Sequence, residues 1–324
     1  MHSIETLQRI FSDALSGRDF DGFPPELYDP VKYTLSLGGK RLRPVLVLAG
    51  CDLFGRDVQK ALLPAIGIEL FHNFTLLHDD IMDQAPLRRG HPTVQAKWNA
   101  NVAILSGDTL FALAYQHLLH CEEAVLPAVL EVFTKTAIEV CEGQQLDMNF
   151  EKQDDVPIQD YLVMIRLKTA VLLAGSLEIG SLIGGAGTEE ARRLYECGLN
   201  MGMAFQLQDD LLDIFSDEAL FGKITGGDIV ANKKTYLYLK ALEVAEGSDF
   251  DELKSLYHHP TTDQAGKVAR ITDLYSALKI KDHTVEAMGG YYARALEDLD
   301  RVRVHPDRKS ALDSLIRGMR QRTF

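Results

Sequence analysis

The chain has 324 residues, of which 46% are hydrophobic and 25% charged. That is globular composition with enough length to bury a large core, and it excludes a disordered chain, a collagen-like repeat and a disulfide miniprotein. Thirty-four Lys and Arg against 47 Asp and Glu leave a formal net charge of −13, the wrong sign for a protein that coats nucleic acid or an anionic membrane, so an anionic ligand must meet a local basic cluster. The four cysteines, Cys51, Cys121, Cys141 and Cys197, are scattered. No pair has metal-ligand spacing, which argues against a zinc site or a disulfide framework and for a reducing, cytoplasmic setting.

In chain order, residues 1–17 carry mixed charge and no long apolar core, unlike a signal peptide. From Tyr28 onward apolar residues recur at spacings of three and four, which predicts helices, with Ala61 to Leu77 and Ala103 to Leu119 among the longest. No strand region is predicted. Gly38-Gly39, Pro86, Pro92, Pro127, Pro157 and Gly184-Gly185 punctuate the pattern, and the spacing predicts an all-α bundle of about ten helices. Ala170 to Gly187 is mostly apolar, but Glu178, two serines and five glycines interrupt it. It reads as a buried core helix rather than a membrane span. Ser216 to Lys234, with Gly222, Gly226 and Gly227 among Lys223, Lys233 and Lys234, reads as a mobile loop. Gly247 to His283 is polar and weakly patterned, read as helical hairpins on the outside. The length admits two domains, although helical enzymes of this size often form one continuous bundle.

One short motif occurs twice. DDxxD stands at Asp79, Asp80 and Asp83 and again at Asp209, Asp210 and Asp213, each time after an apolar helical run. With 28 aspartates random placement gives about 0.2 matches, so two copies carry weight that one would not. On a helix the first and last aspartates share a face one turn apart, while the middle one is rotated by roughly 100°. Carboxylates this close repel one another unless cations neutralise them. Magnesium suits such a site, because it takes one or two carboxylates and completes its shell with water and substrate phosphate. Gly38-Gly39-Lys40-Arg41-Leu42-Arg43-Pro44 adds three cations before a proline able to start a helix, and Arg88-Arg89-Gly90 lies just beyond the first acidic motif. These clusters predict a site that grips phosphate both directly and through metal.

With GGKRLRP, HDDIMD, LRRGHPT, EGQQLD, LKTA, FQLQDDLLD and FGKITGGDI in order from Gly38 to Lys234, the chain resembles the all-trans isoprenyl diphosphate synthases of the polyprenyl synthetase family. The resemblance implies a single all-helical domain, 1–324, around a deep central cavity, and a homodimer. It implies that the two motifs face each other and bind three magnesium ions, with Asp79, Asp83 and Asp209 as direct ligands and Asp80, Asp210 and Asp213 ligating or ordering metal-bound water. Lys40, Arg43, His72 and Arg89 match positions that hold isopentenyl diphosphate. Arg88, Lys168, Lys223 and Lys233 match those that contact the allylic diphosphate, and Thr169 and Gln206 those beside the allylic cation. Released pyrophosphate would take the final proton. Arg320 and Arg322 could cover the isopentenyl site.

The resemblance also ties product length to side chains beneath the first motif. Phe74 and Thr75 lie one turn and more below Asp79, with Phe71 deeper. One aromatic and one small residue there resemble the medium-chain pattern, which implies geranylgeranyl or farnesyl diphosphate with Phe74 as the floor. Two other readings are a class I terpene cyclase and a noncatalytic subunit of a heteromeric synthase. The former needs no metal-free diphosphate site, and the latter usually lacks one of the motifs retained here.

Overall fold

The computed structural model describes residues 2–215, 226–259 and 261–320. Helices dominate: α1 (Ile4–Ser16), α2 (Pro25–Ser36), α3 (Leu42–Leu53), α4 (Leu62–Met82), a short α5 (Val94–Lys97), α6 (Ala100–Leu118), α7 (Leu126–Glu151), α8 (Ile158–Ile165), α9 (Val171–Gly184) and α10 (Thr188–Phe215). Beyond them lie a turn of helix at Gly227–Val230 and the helices Tyr236–Val244, Ser248–His258, Gln264–Ala277, Ile280–Asp300 and Ser310–Arg320. Among the described residues the all-α prediction holds with one exception, an antiparallel pair of two-residue strands, β1 (Leu87–Arg88) and β2 (His91–Pro92). Arg89 and Gly90 between them have φ of 54° and 78°, the doubly left-handed turn that two-residue hairpins favour. Helical periodicity cannot signal so short an element.

The chain forms two compact units, Met1–Lys135 with Gly175–Tyr195 and Arg301–Leu312, and Thr136–Ala174 with Glu196–Asp300 and Asp313–Phe324. In the first, α4 buries Ile66, Ile68, Leu70 and Phe71, and α6 runs beside it. Gly67 allows that approach, since a Cβ there would lie 2.9 Å from the Ala114 carbonyl. In the second unit the helix begun by α8 continues into α9 through a π turn at Arg166–Ala170. Gly143 on α7 and Gly202 on α10 close on this turn, because Cβ atoms there would sit 2.2 Å from the Lys168 nitrogen and 2.4 Å from Ala170 Cα. Such π turns widen a helix locally and recur at functional sites.

The apolar stretch read as a core helix is one, with Val171, Leu173, Ala174, Leu177 and Ile179 fully buried. No helix among the described residues is long and apolar enough to cross a membrane. The segment read as outer hairpins is helical but contributes to the core. Tyr257 stacks on Tyr238 at 3.7 Å and its hydroxyl meets that of Tyr275 at 3.0 Å, all three rings buried. The spacing of these tyrosines was diluted by the polar residues around them. Of the predicted loop, residues 216–225 lie outside the described residues, and the remainder holds the helical turn Gly227–Val230.

Candidate active site

In the first unit α4 ends in the first acidic motif, with Asp83 as its C-cap. Asp80 is buried and Asp83 exposed, as the rotation of the middle residue requires. The hairpin folds Arg88 back onto the motif. Its Nε and Nη2 donate to Asp80 Oδ1 at 2.9 and 2.5 Å, and Nη2 also donates to Asp79 Oδ2 at 3.2 Å. Burial lifts Asp80 above the ordinary carboxylate value, and the Arg88 hydrogen bonds and charge oppose the lift. Gln95 fastens the loop by donating to the Asp80 carbonyl at 2.6 Å.

The glycine-rich segment before α3 lies in the same unit. Arg43 Nη1 donates to His72 Nε2 at 3.1 Å. A guanidinium only donates, so this nitrogen carries no proton and the imidazole is neutral. Burial is the first cause that pushes His72 well below its usual range, followed by the charges of Arg43, Arg89, Arg41 and Arg88. Arg89 donates to the Gly38 carbonyl, which ties the two basic segments together. Lys40 is exposed. Arg41 departs from the expectation that three cations converge on one anion. With φ of 48° it turns inward to pair with buried Glu69 and donates to the Leu35 carbonyl at 2.6 Å. Glu69, which Asn73 also contacts at 3.0 Å, is a supporting residue that sequence reasoning missed.

Phe71, Phe74, Phe111, Phe133 and Tyr115 form one aromatic cluster beneath the motif. Phe71 is fully buried against Phe133 at 5.2 Å. Phe74, half-buried, stacks on Phe111 at 5.0 Å with 12° between the rings. Thr75 directs its hydroxyl to the His72 carbonyl at 2.8 Å. Phe111 was not singled out from sequence, because it sits on α6 at ordinary core spacing.

In the second unit Asp209 is exposed, Asp213 intermediate and Asp210 buried. Asp210 Oδ2 accepts from the Tyr161 hydroxyl, and Oδ1 accepts from Gln206 Nε2 at 3.0 Å. Thr169 Oγ1, on the π turn, donates to Gln206 Oε1 at 2.8 Å. Asp210 is thus engaged as an acceptor through both carboxylate oxygens. Burial pushes its pKa up to about 6, against the hydrogen bonds from Tyr161 and Gln206. Lys168 Nζ pairs with Asp147 at 2.6 Å. Lys168, Thr169, Gln206, Asp210 and Lys233 line one cavity of about 110 Å³, together with Tyr161, Asp147 and Asp228. Burial and the charges of Asp213 and Asp210 drive Asp228 up to about 7. Its backbone amide donates to Asp213 Oδ2 at 2.9 Å. Asp147 and Asp228 lay within EGQQLD and GGDI without being chosen. Tyr161 offered only the general signal that a buried tyrosine needs a partner. Lys223 and Arg322 lie outside the described residues, and Arg320 is exposed.

Each motif therefore buries its middle aspartate and leaves its first and last, a turn apart, more accessible. Among the described residues no three His, Cys, Asp or Glu side chains gather into a closed metal site. Hard oxygen donors from one or two carboxylates suit magnesium, whose shell is finished by phosphate and water.

The polyprenyl synthetase family model matches residues 24–275. The chain is 38% identical over 288 residues to a geranylgeranyl diphosphate synthase of Sulfolobus acidocaldarius, covering 87% of this chain and 86% of the relative. It is 42% identical over 222 residues to the Methanosarcina mazei enzyme of that name, covering 68% of each. A crystal structure of a geranylgeranyl pyrophosphate synthase superposes with a TM-score of 0.95 at 40% identity, covering 100% of both chains. The chain belongs to the polyprenyl synthetase family. It is an all-helical trans-prenyltransferase, and members of its family are generally magnesium-dependent.

Proposed function

We infer that the protein, working as one polyprenyl synthetase domain, condenses isopentenyl diphosphate head-to-tail with dimethylallyl, geranyl or farnesyl diphosphate. The product is medium-chain and all-trans, geranylgeranyl or farnesyl diphosphate. The observation that carries this reading is that each acidic motif has basic side chains nearby in its own unit. Arg88 rests on Asp79 and Asp80, and Lys168 and Lys233 line the cavity that Asp210 borders. A class I cyclase has no use for a second diphosphate grip of the kind that Lys40, Arg43 and Arg89 supply, and a silent subunit has no use for two intact motifs.

Asp79, Asp83 and Asp209 would be direct magnesium ligands in this reading, with Asp80, Asp210 and Asp213 ligating or ordering metal-bound water, and three bound ions would neutralise the allylic diphosphate. Lys40, Arg43 and Arg89 hold isopentenyl diphosphate, with neutral His72 keeping Arg43 in place. Arg88, Lys168, Lys223 and Lys233 hold the allylic diphosphate and stabilise it as it departs. The allylic carbon–oxygen bond breaks and its electron pair leaves with pyrophosphate. Thr169 and Gln206 present neutral dipoles to the allyl cation, which attract it without capturing it. The isopentenyl double bond then attacks, forming the new carbon–carbon bond, and pyrophosphate removes the proton from the adjacent carbon. Phe74, supported by Phe71 and beside Thr75, limits chain growth.

The protein acts as a homodimer, to be checked by light scattering, and four free cysteines suit the cytoplasm. The deciding experiment supplies the purified protein with labelled isopentenyl diphosphate, each allylic starter and magnesium, and reads chain length by chromatography. A discrete product lost on chelation is expected. No elongation with any starter overturns the reading in favour of a cyclase or a silent subunit, and a search of the same mixture for hydrocarbons separates those two.

A further inference from the structure

We propose that Tyr161 is a positioning residue. It sets the direction of the hydrogen-bond chain through Asp210 and Gln206 to Thr169, so that the Thr169 oxygen turns lone pairs rather than its proton toward the cavity. The proposal rests on the reading above that the allylic cation lies beside Thr169 and Gln206.

The direction follows from what each group can do. An ionised carboxylate only accepts hydrogen bonds. Asp210 is 4% exposed; its Oδ2 accepts from the Tyr161 hydroxyl and its Oδ1 from Gln206 Nε2, and the Tyr236 backbone amide is a further donor to the carboxylate. Gln206 must therefore spend its NH₂ on Asp210 and keep its carbonyl oxygen for Thr169. The Thr169 hydroxyl donates to that oxygen at 2.8 Å, which leaves lone pairs as the only other face of the Thr169 oxygen. A reversed amide would make Thr169 an acceptor and aim its proton elsewhere, with the positive end of the dipole available to a cation.

Two further observations narrow what can vary. Gly143 and Gly202 press on the π turn that carries Thr169, at separations that no side chain would fit. The backbone of the turn is confined, so the hydroxyl's orientation falls to its hydrogen-bond partner. Tyr161 lies on α8, just before the same π turn, and Gln206 lies one helical turn before Asp210 on α10. Tyr161 thus links the element that carries Thr169 to the element that carries its partner. Without its hydroxyl, the Asp210 carboxylate loses the donor that fixes one of its oxygens, and the Gln206 amide loses a defined counterpart. Buried networks of this kind are informative only as whole units, because each member's direction depends on the next.

The test compares Tyr161→Phe, Gln206→Leu and the double variant in steady-state condensation of isopentenyl diphosphate with the starter that the product assay identifies, alongside thermal melts. The expected result for Tyr161→Phe is a kcat lowered about ten- to a hundredfold, as for a small misplacement at the reacting centre. KM values for both diphosphates stay within about twofold, and the double variant is no slower than Gln206→Leu alone, the signature of residues acting as one unit. A native kcat in Tyr161→Phe overturns the proposal, and so do losses that multiply in the double variant. A native kcat in Gln206→Leu overturns the cation-facing reading itself and this proposal with it. If Tyr161→Phe shows no cooperative melt, Asp210→Asn replaces it in the cycle, where a loss that multiplies with that of Gln206→Leu overturns the proposal and KM is not read, because the proposed function also places Asp210 in the metal site.

Discussion

The two DDxxD motifs share spacing and a buried middle aspartate, yet they hold that aspartate by opposite means. Asp80 is paired with a cation, Arg88, brought back by a hairpin and still partly open to solvent. Asp210 is held by the neutral donors Tyr161 and Gln206, from helices within its own unit. The difference teaches what one spacing leaves open. Around Asp80 the charge that orders the motif is also a proposed diphosphate contact, so substrate binding and carboxylate geometry share a residue. Around Asp210 the ordering groups are internal, and their further partner is the Thr169 hydroxyl rather than a phosphate contact.

The largest effect should appear where the comparison predicts equality. Asp79→Ala and Asp209→Ala each remove an accessible first aspartate, and each should lower kcat about a hundredfold or more while the protein remains folded. Excess chelator should abolish turnover of the native protein and restored magnesium should recover it. Near-native kcat in either variant, measured at saturating substrate, would show that the two motifs are not partners in metal binding.

The next prediction concerns what only the first motif stands on. Phe74→Ala removes a ring stacked on Phe111 just above fully buried Phe71, and the product should lengthen by one or more isoprene units. Chromatography of the chains reads this directly. An unchanged product length assigns the floor to another side chain of the cluster, with Phe111→Ala the next variant to measure.

How much of this was legible in the sequence follows the same division. The first unit's geometry was close to readable, because Asp79, Asp80, Asp83 and Arg88 are near neighbours in the chain and a turn between prolines is enough to fold Arg88 onto the motif. Arg41 misled, since nothing in GGKRLRP distinguishes a cation facing a ligand from one turned inward to Glu69. The second unit was less legible. Asp210 meets Tyr161 from a different helix, and the π turn that presents Thr169 depends on Gly143 and Gly202, whose role is visible only once three helices are packed. Helical periodicity gave the fold class and missed the hairpin, where a two-residue strand leaves no period to detect.

Stability should separate the two middle aspartates. Asp80→Asn takes the nearer of two counter-charges from the partly buried Arg88 guanidinium and leaves it Asp79 at 3.2 Å; it should cost about 1–3 kcal/mol, a range discounted for the solvent that reaches Arg88. Asp210→Asn keeps neutral company and should cost less, about 1 kcal/mol or below, because the amide can still satisfy part of the network. Denaturant melts at neutral pH without magnesium measure both. Equal losses would erase the contrast between charged and neutral partners.

An effect confined to acid pH tests the neutral imidazole beside the first motif. His72 is held well below its usual range by burial and by four surrounding arginines, so below the unfolded value of about 6.5 the unfolded chain takes up a proton that the folded one refuses. In that window the unfolded state binds more protons, and stability must rise with pH; the contribution is fully present above 6.5 and shrinks as pH falls toward the folded value. His72→Gln can still accept from Arg43 but cannot titrate. Relative to native protein it should therefore gain stability at pH 5 and not at pH 8, by at most about 2 kcal/mol for the one and a half pH units involved. Paired melts at the two pH values give the difference. If the gap between variant and native protein is the same at both, His72 is not the neutral acceptor that the Arg43 contact requires, and the positioning of Arg43 must come from elsewhere in the basic segment.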